Sequence, residues 1–401
     1  MNVAILGFGT VGSGVAAMLK ENSEILARHA GEEVTLSRIV DVREFPDSPY
    51  ASIITKDFKE VESDPAISVV FEVIGGCGVA YDFTKRSLAA GKSVITSNKE
   101  LVATHGTELL ALAEANGCYY LFEASVGGGI PVLSPLVNEL SHNSISEISG
   151  ILNGTTNYIL TRMFASGATF ETALAEAQAK GYAEADPTAD VEGIDASRKI
   201  AILAALAFGQ LIPAKHIHTE GIRGIRAEDV LAAEKLGASI KLLGRAVRTE
   251  LGDVFIMVAP FLIPSDSPLS FISDVYNGVL VRGNFVEDVM FYGRGAGSRP
   301  TASAVVADLD KLLRGSAVRP VFTDASEDIP SDFSYFASRH YVVIEGADQN
   351  AVGILFGETE PVAVEENAFI TAELSETGFA ERVKRLEACG GRIVSHIRLY
   401  R

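Results

Sequence analysis

The sequence has no tryptophan, only three cysteines, no excess of positive charge and no long hydrophobic run. Cys77, Cys118 and Cys389 are odd in number, widely spaced and never arranged as CxxC, so they supply neither a disulfide framework nor a zinc ribbon. Basic residues number 34 against 52 acidic ones, and a net charge of −18 is repelled by a phosphate backbone and by an anionic membrane face. Neither nucleic acid nor membrane is therefore expected as a partner, while net charge sets no limit on a local cationic pocket for a small anion. The longest apolar stretch, residues 200–208, falls far short of the roughly 20 residues that span a bilayer. Met1 runs directly into Asn2-Val3-Ala4-Ile5-Leu6 and a glycine turn, with no basic leader or cleavage site, which predicts a cytoplasmic protein. The seven histidines are scattered, and His216 and His218 stand beside no thiolate or HExxH frame, so catalytic zinc is not expected.

What is present is 401 residues, 47% hydrophobic, with 37 glycines, enough for two or three domains with buried cores. Short β-branched runs alternate with helical stretches up to about residue 121, which predicts a Rossmann-type doubly wound parallel sheet, an α/β fold. Strands are expected at 3–6, 36–42, 69–74, 93–96 and 119–123, with helices at 12–22, 83–90 and 107–116. Several of these strands end in small or polar clusters that should converge on one crevice. Residues 127–322 read as an α+β domain with helices at 170–180, 191–208, 227–236 and 301–312 and strands at 145–152, 241–248 and 254–261. The acidic stretch 323–332 reads as a linker. Residues 333–401 follow a β-α-β-β-α-β rhythm, with strands at 341–345, 362–364, 369–374 and 392–399 and helices at 352–357 and 378–389, as in a ferredoxin-like module.

Gly7-Phe8-Gly9-Thr10-Val11-Gly12 is a GxGxxG placed after a predicted strand and before a predicted helix, the context a dinucleotide site requires. Gly7 permits the tight turn, Gly9 the approach of a pyrophosphate, and Gly12 the packing of helix on strand. The second strand ends Asp41-Val42-Arg43. Asp41 suits a ribose 2′-hydroxyl and hence NAD, whereas Arg43 suits a 2′-phosphate and hence NADP, so both cofactors stay open, with a plain ion pair as the alternative for either residue. Tyr81 and Lys85 match a YxxxK pattern, but too early in the chain for a short-chain dehydrogenase, and Lys85 is read as a solvated helix residue. Residues 180–199 crowd Glu184, Asp186, Asp190, Glu192 and Asp195 ahead of Lys199. Asp190 is placed as a helix N-cap. Asp195 and Lys199 lie at i and i+4, which is either a surface ion pair or an amine-binding carboxylate beside a desolvated lysine suited to proton transfer. Lys99 closes the Ser97-Asn98-Lys99 turn at the end of a Rossmann strand and should face the crevice. The glycines of Glu123-Ala124-Ser125-Val126-Gly127-Gly128-Gly129-Ile130-Pro131 free carbonyls for a hard cation or for substrate, or else form a hinge.

These motifs, with Asn153-Gly154-Thr155-Thr156-Asn157-Tyr158-Ile159 and Gly293-Arg294-Gly295-Ala296-Gly297, resemble in order and content the homoserine dehydrogenase family, in its single-activity bacterial form, over about the first 315 residues. The resemblance implies reversible reduction of L-aspartate 4-semialdehyde to L-homoserine by NADPH or NADH, on the route to threonine, methionine and isoleucine. It implies that Lys199 carries the proton, that Asp195 and Glu184 hold the substrate with Asp190 and Thr155 nearby, and that Lys99 sits by the nicotinamide. Gly75, Ser97, Gly181, Gly295 and Gly297 would complete the cofactor site begun by Gly7, Gly9, Thr10, Val11 and Gly12. A structural sodium ion would bind at Glu123, Val126, Gly128 and Ile130. Domains are implied at 1–126 (dinucleotide-binding), 127–322 (catalytic and dimerising) and 333–401 (ACT-like and regulatory), with the segment near 293–315 packing back on the first. L-Threonine is the implied inhibitor and a homodimer or homotetramer the implied assembly. Asp348-Gln349-Asn350 stands where the family shows an acid, a proline and a glycine, so a merely dimerising tail is the alternative. The competing functional readings are an aspartate dehydrogenase-like oxidoreductase and a non-catalytic amino-acid sensor.

Overall fold

The computed structural model describes residues 1–250, 252–325, 334, 336–347, 349–365 and 367–400. Its first layer is a six-stranded parallel sheet in the order Ile54–Thr55, Thr35–Val40, Asn2–Leu6, Ile67–Glu72, Ser93–Thr96, Tyr120–Leu121. That order reverses beside Asn2–Leu6, the Rossmann arrangement, and the reversal opens a crevice at the strand ends. Val3, Ala4, Ile5 and Leu6 are wholly buried, as expected of a strand covered on both faces. The helix Ser298–Leu313 returns from late in the chain to pack Ala302, Val305 and Leu309 against Val15, Ala16 and Leu19 of Thr10–Glu21. Gly14 allows that approach, since a Cβ there would lie 2.6 Å from the Ser298 hydroxyl.

The helix expected at 107–116 starts eight residues earlier, as Lys99–Ala115, because Asn98 caps it by accepting from the Leu101 N–H at 3.1 Å. Its first half holds Val102, Thr104, His105 and Gly106, weak helix formers that concealed it. The helix expected over 191–208 is two pieces, Thr188–Val191 and Ile194–Phe208, broken at Gly193 with φ of +79°. Asp190 therefore lies inside the short first piece, and Gly193 is the N-cap of the long one.

Among the described residues the second sheet has ten strands. Glu287–Arg294, Tyr276–Gly283, Ile145–Ile151, Ala238–Arg248 and Val254–Pro264 form an antiparallel half. Two of these, Tyr276–Gly283 and Glu287–Arg294, had no counterpart in the sequence reading, nor had the helix Gly154–Ser166. Glycines at 278, 283 and 293 and charges at 282, 287, 288 and 294 dilute the strand signal there. The sheet then runs on without a break, because Phe261 and Leu262 pair in parallel with Arg398 and Leu399. Beyond that join lie Arg392–Leu399, His340–Glu345, Ala368–Thr371 and Thr359–Pro361, in the ferredoxin-like order with last strand beside first. The helices Gln349–Phe356 and Glu376–Ala388 cover one face of this module through Val352, Phe356, Phe379 and Leu386. Across its junction with the antiparallel half of the sheet, Arg226 beside the helix Ala227–Lys235 pairs with Glu365 at 2.6 Å.

Thr323–Asp324, at the start of the expected linker, pairs with Gln210–Leu211, and the rest of it from 326 to 332 lies outside the described residues, as does Asp348. Among the described residues no helix is long and apolar enough to cross a membrane.

Candidate functional site

The ends of the Rossmann strands and the start of the helix Ile194–Phe208 face each other across a cavity of about 810 Å³. Thr10, Val11, Gly75, Ser97 and Lys99 line it from the Rossmann side, and Thr155, Gly181, Glu184, Asp190, Asp195 and Lys199 from the other. Gly128, Gly295 and Gly297 also reach it. Gly7 and Gly12 shape the loop from behind. Gly7 has φ of +96° and a Cβ there would meet the Val73 carbonyl at 2.9 Å, while a Cβ on Gly12 would strike the carbonyl of Gly7. Gly9 caps the helix Thr10–Glu21 without any side-chain acceptor among the described residues, so first-turn N–H groups are left for an anion.

Asp41 and Arg43, the two candidates for choosing the cofactor, are bound to each other. Asp41 accepts from the Phe8 N–H at 2.7 Å, from the Arg43 N–H at 2.9 Å, and from Arg43 Nε and Nη2 at 3.0 and 2.8 Å. The Arg43 hydrogen bonds and the Phe8 N–H together outweigh burial and bring the Asp41 carboxyl down to about 2. Asp41 thus braces the glycine loop with both oxygens engaged, while Arg43 stays 58% exposed with its Nη2 close over Gly9.

At the floor of the cleft Asp195 joins two lysines. Its Oδ2 accepts from Lys199 Nζ at 2.6 Å and its Oδ1 pairs with Lys99 Nζ at 2.9 Å. Burial alone would raise the Asp195 carboxyl, but Lys199 and Lys99 hold it well below the ordinary carboxylate range. Burial pushes the Lys199 ammonium down, against the opposing pull of Asp195. Lys199 also donates to the Leu152 carbonyl at 2.8 Å, which leaves one of its three donors without a partner among the described residues. Of the two readings of the i, i+4 pair, the surface one does not fit, because both side chains are at least nine-tenths buried.

Asn153 is the residue whose role spacing did not reveal. Its amide donates to Asp190 at 2.7 Å and to Asp195 at 2.9 Å while its oxygen caps the helix Gly154–Ser166 by accepting from the Thr156 N–H. An asparagine ahead of Gly-Thr-Thr is a legible N-cap signal, but the two aspartates it also holds lie some 40 residues on. Thr155 donates to the Tyr182 carbonyl at 2.7 Å and so ties that helix to the 181–184 loop. The Glu184 carboxylate lines the cavity with no hydrogen bond or ion pair among the described residues. Tyr81 and Lys85 share Glu108 on the surface.

Glu123 turns its carboxylate to the helix Leu133–Val137, accepting from the N–H groups of Val132, Leu133 and Ser134 at 2.7–2.9 Å. The loop that follows is buried, and among the described residues no donor reaches the carbonyls of Val126, Gly128 and Ile130. The buried Ser125 hydroxyl also has no partner there. Oxygen atoms left without donors suit a hard cation such as sodium, with the Glu123 contribution coming from its backbone rather than its occupied carboxylate.

Comparison with known proteins places the chain in a family. Residues 7–123 match the model of the homoserine dehydrogenase NAD-binding domain and residues 131–309 that of homoserine dehydrogenase. A homoserine dehydrogenase of Pseudomonas aeruginosa is 46% identical over 321 residues, 80% of this chain and 74% of that one. One from Mycobacterium tuberculosis is 36% identical over 99% of this chain and 91% of its own length. The crystal structure of a homoserine dehydrogenase from Thiobacillus denitrificans superposes with a TM-score of 0.89 at 36% identity, covering 100% of this chain and 98% of that one. With a glycine loop, a Lys–Asp–Lys floor and a fold shared end to end with such a relative, the chain belongs to the homoserine dehydrogenase family of NAD(P)-dependent oxidoreductases.

Proposed function

We propose that this cytoplasmic enzyme interconverts L-homoserine and L-aspartate 4-semialdehyde with Lys199 as the proton carrier. The observation that carries the reading is the buried Asp195 between two lysines, facing the same cavity as the glycine loop. A nicotinamide held at the glycine loop would supply or accept the hydride at the substrate's C4. Lys199, lowered by burial, takes the hydroxyl proton as that carbon is oxidised and returns it to the oxygen in the reverse direction. Asp195 and Glu184 hold the substrate amine and hydroxyl, Asp190 is kept in place by Asn153, and Lys99 keeps Asp195 ionised beside the nicotinamide end.

NADP is the favoured cofactor, since Asp41 is engaged and the exposed Arg43 guanidinium is available for a 2′-phosphate. An archaeal homoserine dehydrogenase mutant, 29% identical with a TM-score of 0.66, is described in complex with NADPH. Sodium at the carbonyls of Glu123, Val126, Gly128 and Ile130 would stiffen the loop that brings Gly128 to the cleft. A homodimer or homotetramer is supported by the sheet's edge strand Glu287–Arg294, which leaves Met290 and Tyr292 partly exposed beside Phe285 at 87%. The ferredoxin-like strand order supports an ACT-like module for which L-threonine is the ligand to try. Initial rates with L-homoserine and NADP⁺ or NAD⁺, with sodium and potassium compared, test the assignment. Turnover faster with NADP⁺ is expected. Silence with both cofactors, in a sample whose fluorescence shows NADPH bound, would sink the substrate reading.

A further inference from the structure

The last strand carries a buried arginine with no part in the chemistry above. Arg398 is 2% exposed, and its guanidinium grips two carboxylates at once: Nη1 and Nη2 donate to Glu220 at 2.8 Å, and Nε and Nη2 donate to Glu376 at 2.6 and 2.8 Å. Glu376 opens a helix of Arg398's own module. Glu220 belongs to the catalytic half, just past the short strand His218–Thr219, which pairs with Met257 and Val258. One glutamate would neutralise the arginine. Drawing a second, which also lies 2.6 Å from His218 Nε2, into the junction adds the cost of desolvating another acid, so the contact is a weak device for stability.

The geometry it sets is that of the turn bearing the site's acids. The Glu220 N–H donates to the Val258 carbonyl at 2.7 Å and the Ile222 N–H to the Val191 carbonyl at 2.9 Å. Gly221 has no space for a Cβ, because Val191 and Glu192 lie against it, and Arg223 pairs with Glu192. From the other side a Cβ on Gly193 would meet Thr219 and Val258 at 3.0 Å. Residues 219–222 are therefore pressed against 191–193, and Gly193 starts the helix that carries Asp195 and Lys199.

We propose that Arg398 is a positioning residue for the dehydrogenase site: through Glu220 it fixes the 191–193 turn and so where Asp190 and Asp195 meet the substrate. The inference rests on the reading of Asp195 as a substrate-holding group. The test compares Glu220→Gln and Arg398→Lys with Asp195→Asn in the full chain, measuring KM for L-homoserine, kcat, the dissociation constant of NADPH and the unfolding midpoint. Glu220 is 31% exposed, so its isosteric replacement is compatible with folding. Both junction variants are expected to raise KM about tenfold, with kcat within about threefold and NADPH binding unchanged, since misplaced binding groups lose substrate before they lose cofactor. A purely structural role would lower kcat with the folded fraction and leave KM alone. Parental KM in the junction variants alongside a raised KM in Asp195→Asn would overturn the positioning role. Parental KM in Asp195→Asn would overturn the reading on which it stands.

Discussion

The cleft and the junction beneath the C-terminal module are made of the same materials: buried acids, buried bases and a helix N-terminus. In the junction nearly every bond is closed. Arg398 uses four hydrogen bonds on Glu220 and Glu376, His218 Nε2 lies 2.6 Å from Glu220, and His340 Nδ1 lies 2.7 Å from His396 Nε2. In the cleft the count is left open. Lys199 retains a donor, Glu184 lines the cavity with its carboxylate bonded to no described residue, and the glycine loop has uncapped N–H groups. Residue type and burial are thus poor guides to chemistry, and unfilled bonding capacity facing a cavity is a better one.

The difference is broken most severely by closing the cleft's open valence. Lys199→Met removes the proposed proton carrier but leaves Asp195 paired with Lys99, so the fold keeps its buried carboxylate satisfied. Turnover is expected to fall by about 10²- to 10⁴-fold, with NADPH affinity within a factor of about two, as read by steady-state rates and fluorescence titration. In the parent, homoserine oxidation should climb with pH as Lys199 deprotonates, and that limb should vanish from the residual rate of the variant. A variant at the parental rate would remove Lys199 from the mechanism.

How far this was legible in sequence follows from the range of the signals. The glycine loop and the Rossmann strands are local patterns and read directly, whereas the Asp195–Lys199 spacing is local but left a surface pair and a buried one open until the fold buried both side chains. Asn153 was not legible as a site residue, because its two partners are distant in sequence and only the fold brings them within 3 Å. At Asp41 and Arg43 the sequence left an NAD contact, an NADP contact and a plain ion pair open; the structure forms the ion pair, and the Phe8 N–H, placed by the loop, takes part of the Asp41 carboxylate as well. The strands at 276–294 escaped because glycines and surface charges mask alternation at a sheet edge. That the tail's sheet continues the catalytic sheet through Phe261 and Leu262 is a long-range pairing that no single-sequence period encodes.

A smaller effect is expected at Arg43, where the closed and open conditions meet in one residue. Its Nε and Nη2 brace Asp41, yet the group is more than half exposed over the glycine loop. Arg43→Ala should weaken NADPH binding about tenfold, the scale of one charge-assisted contact, and change NADH binding much less. Equal losses for the two cofactors would mean that Arg43 acts on the loop through Asp41 and not on the phosphate.

The mildest test sharpens the comparison from the closed side. Burial pushes His340 down to about 4, with Glu376 pulling the other way and Arg398 adding to the depression, and burial likewise lowers His396 well below the usual histidine range. Glu220 and His218 are the other titratable groups facing this pair. A histidine depressed in the folded state binds its proton more readily when unfolded, so its stabilising contribution is complete above pH 6.5 and erodes as pH falls toward 4. His340→Gln keeps a neutral hydrogen-bonding group beside His396 but removes one of the two titrations. The loss of unfolding free energy between pH 6.5 and 4 should therefore shrink by on the order of 2 kcal/mol, measured by denaturant unfolding at each pH. An identical pH profile in parent and variant would show that His340 charges without penalty, and that the junction is less tightly closed than its hydrogen bonds imply.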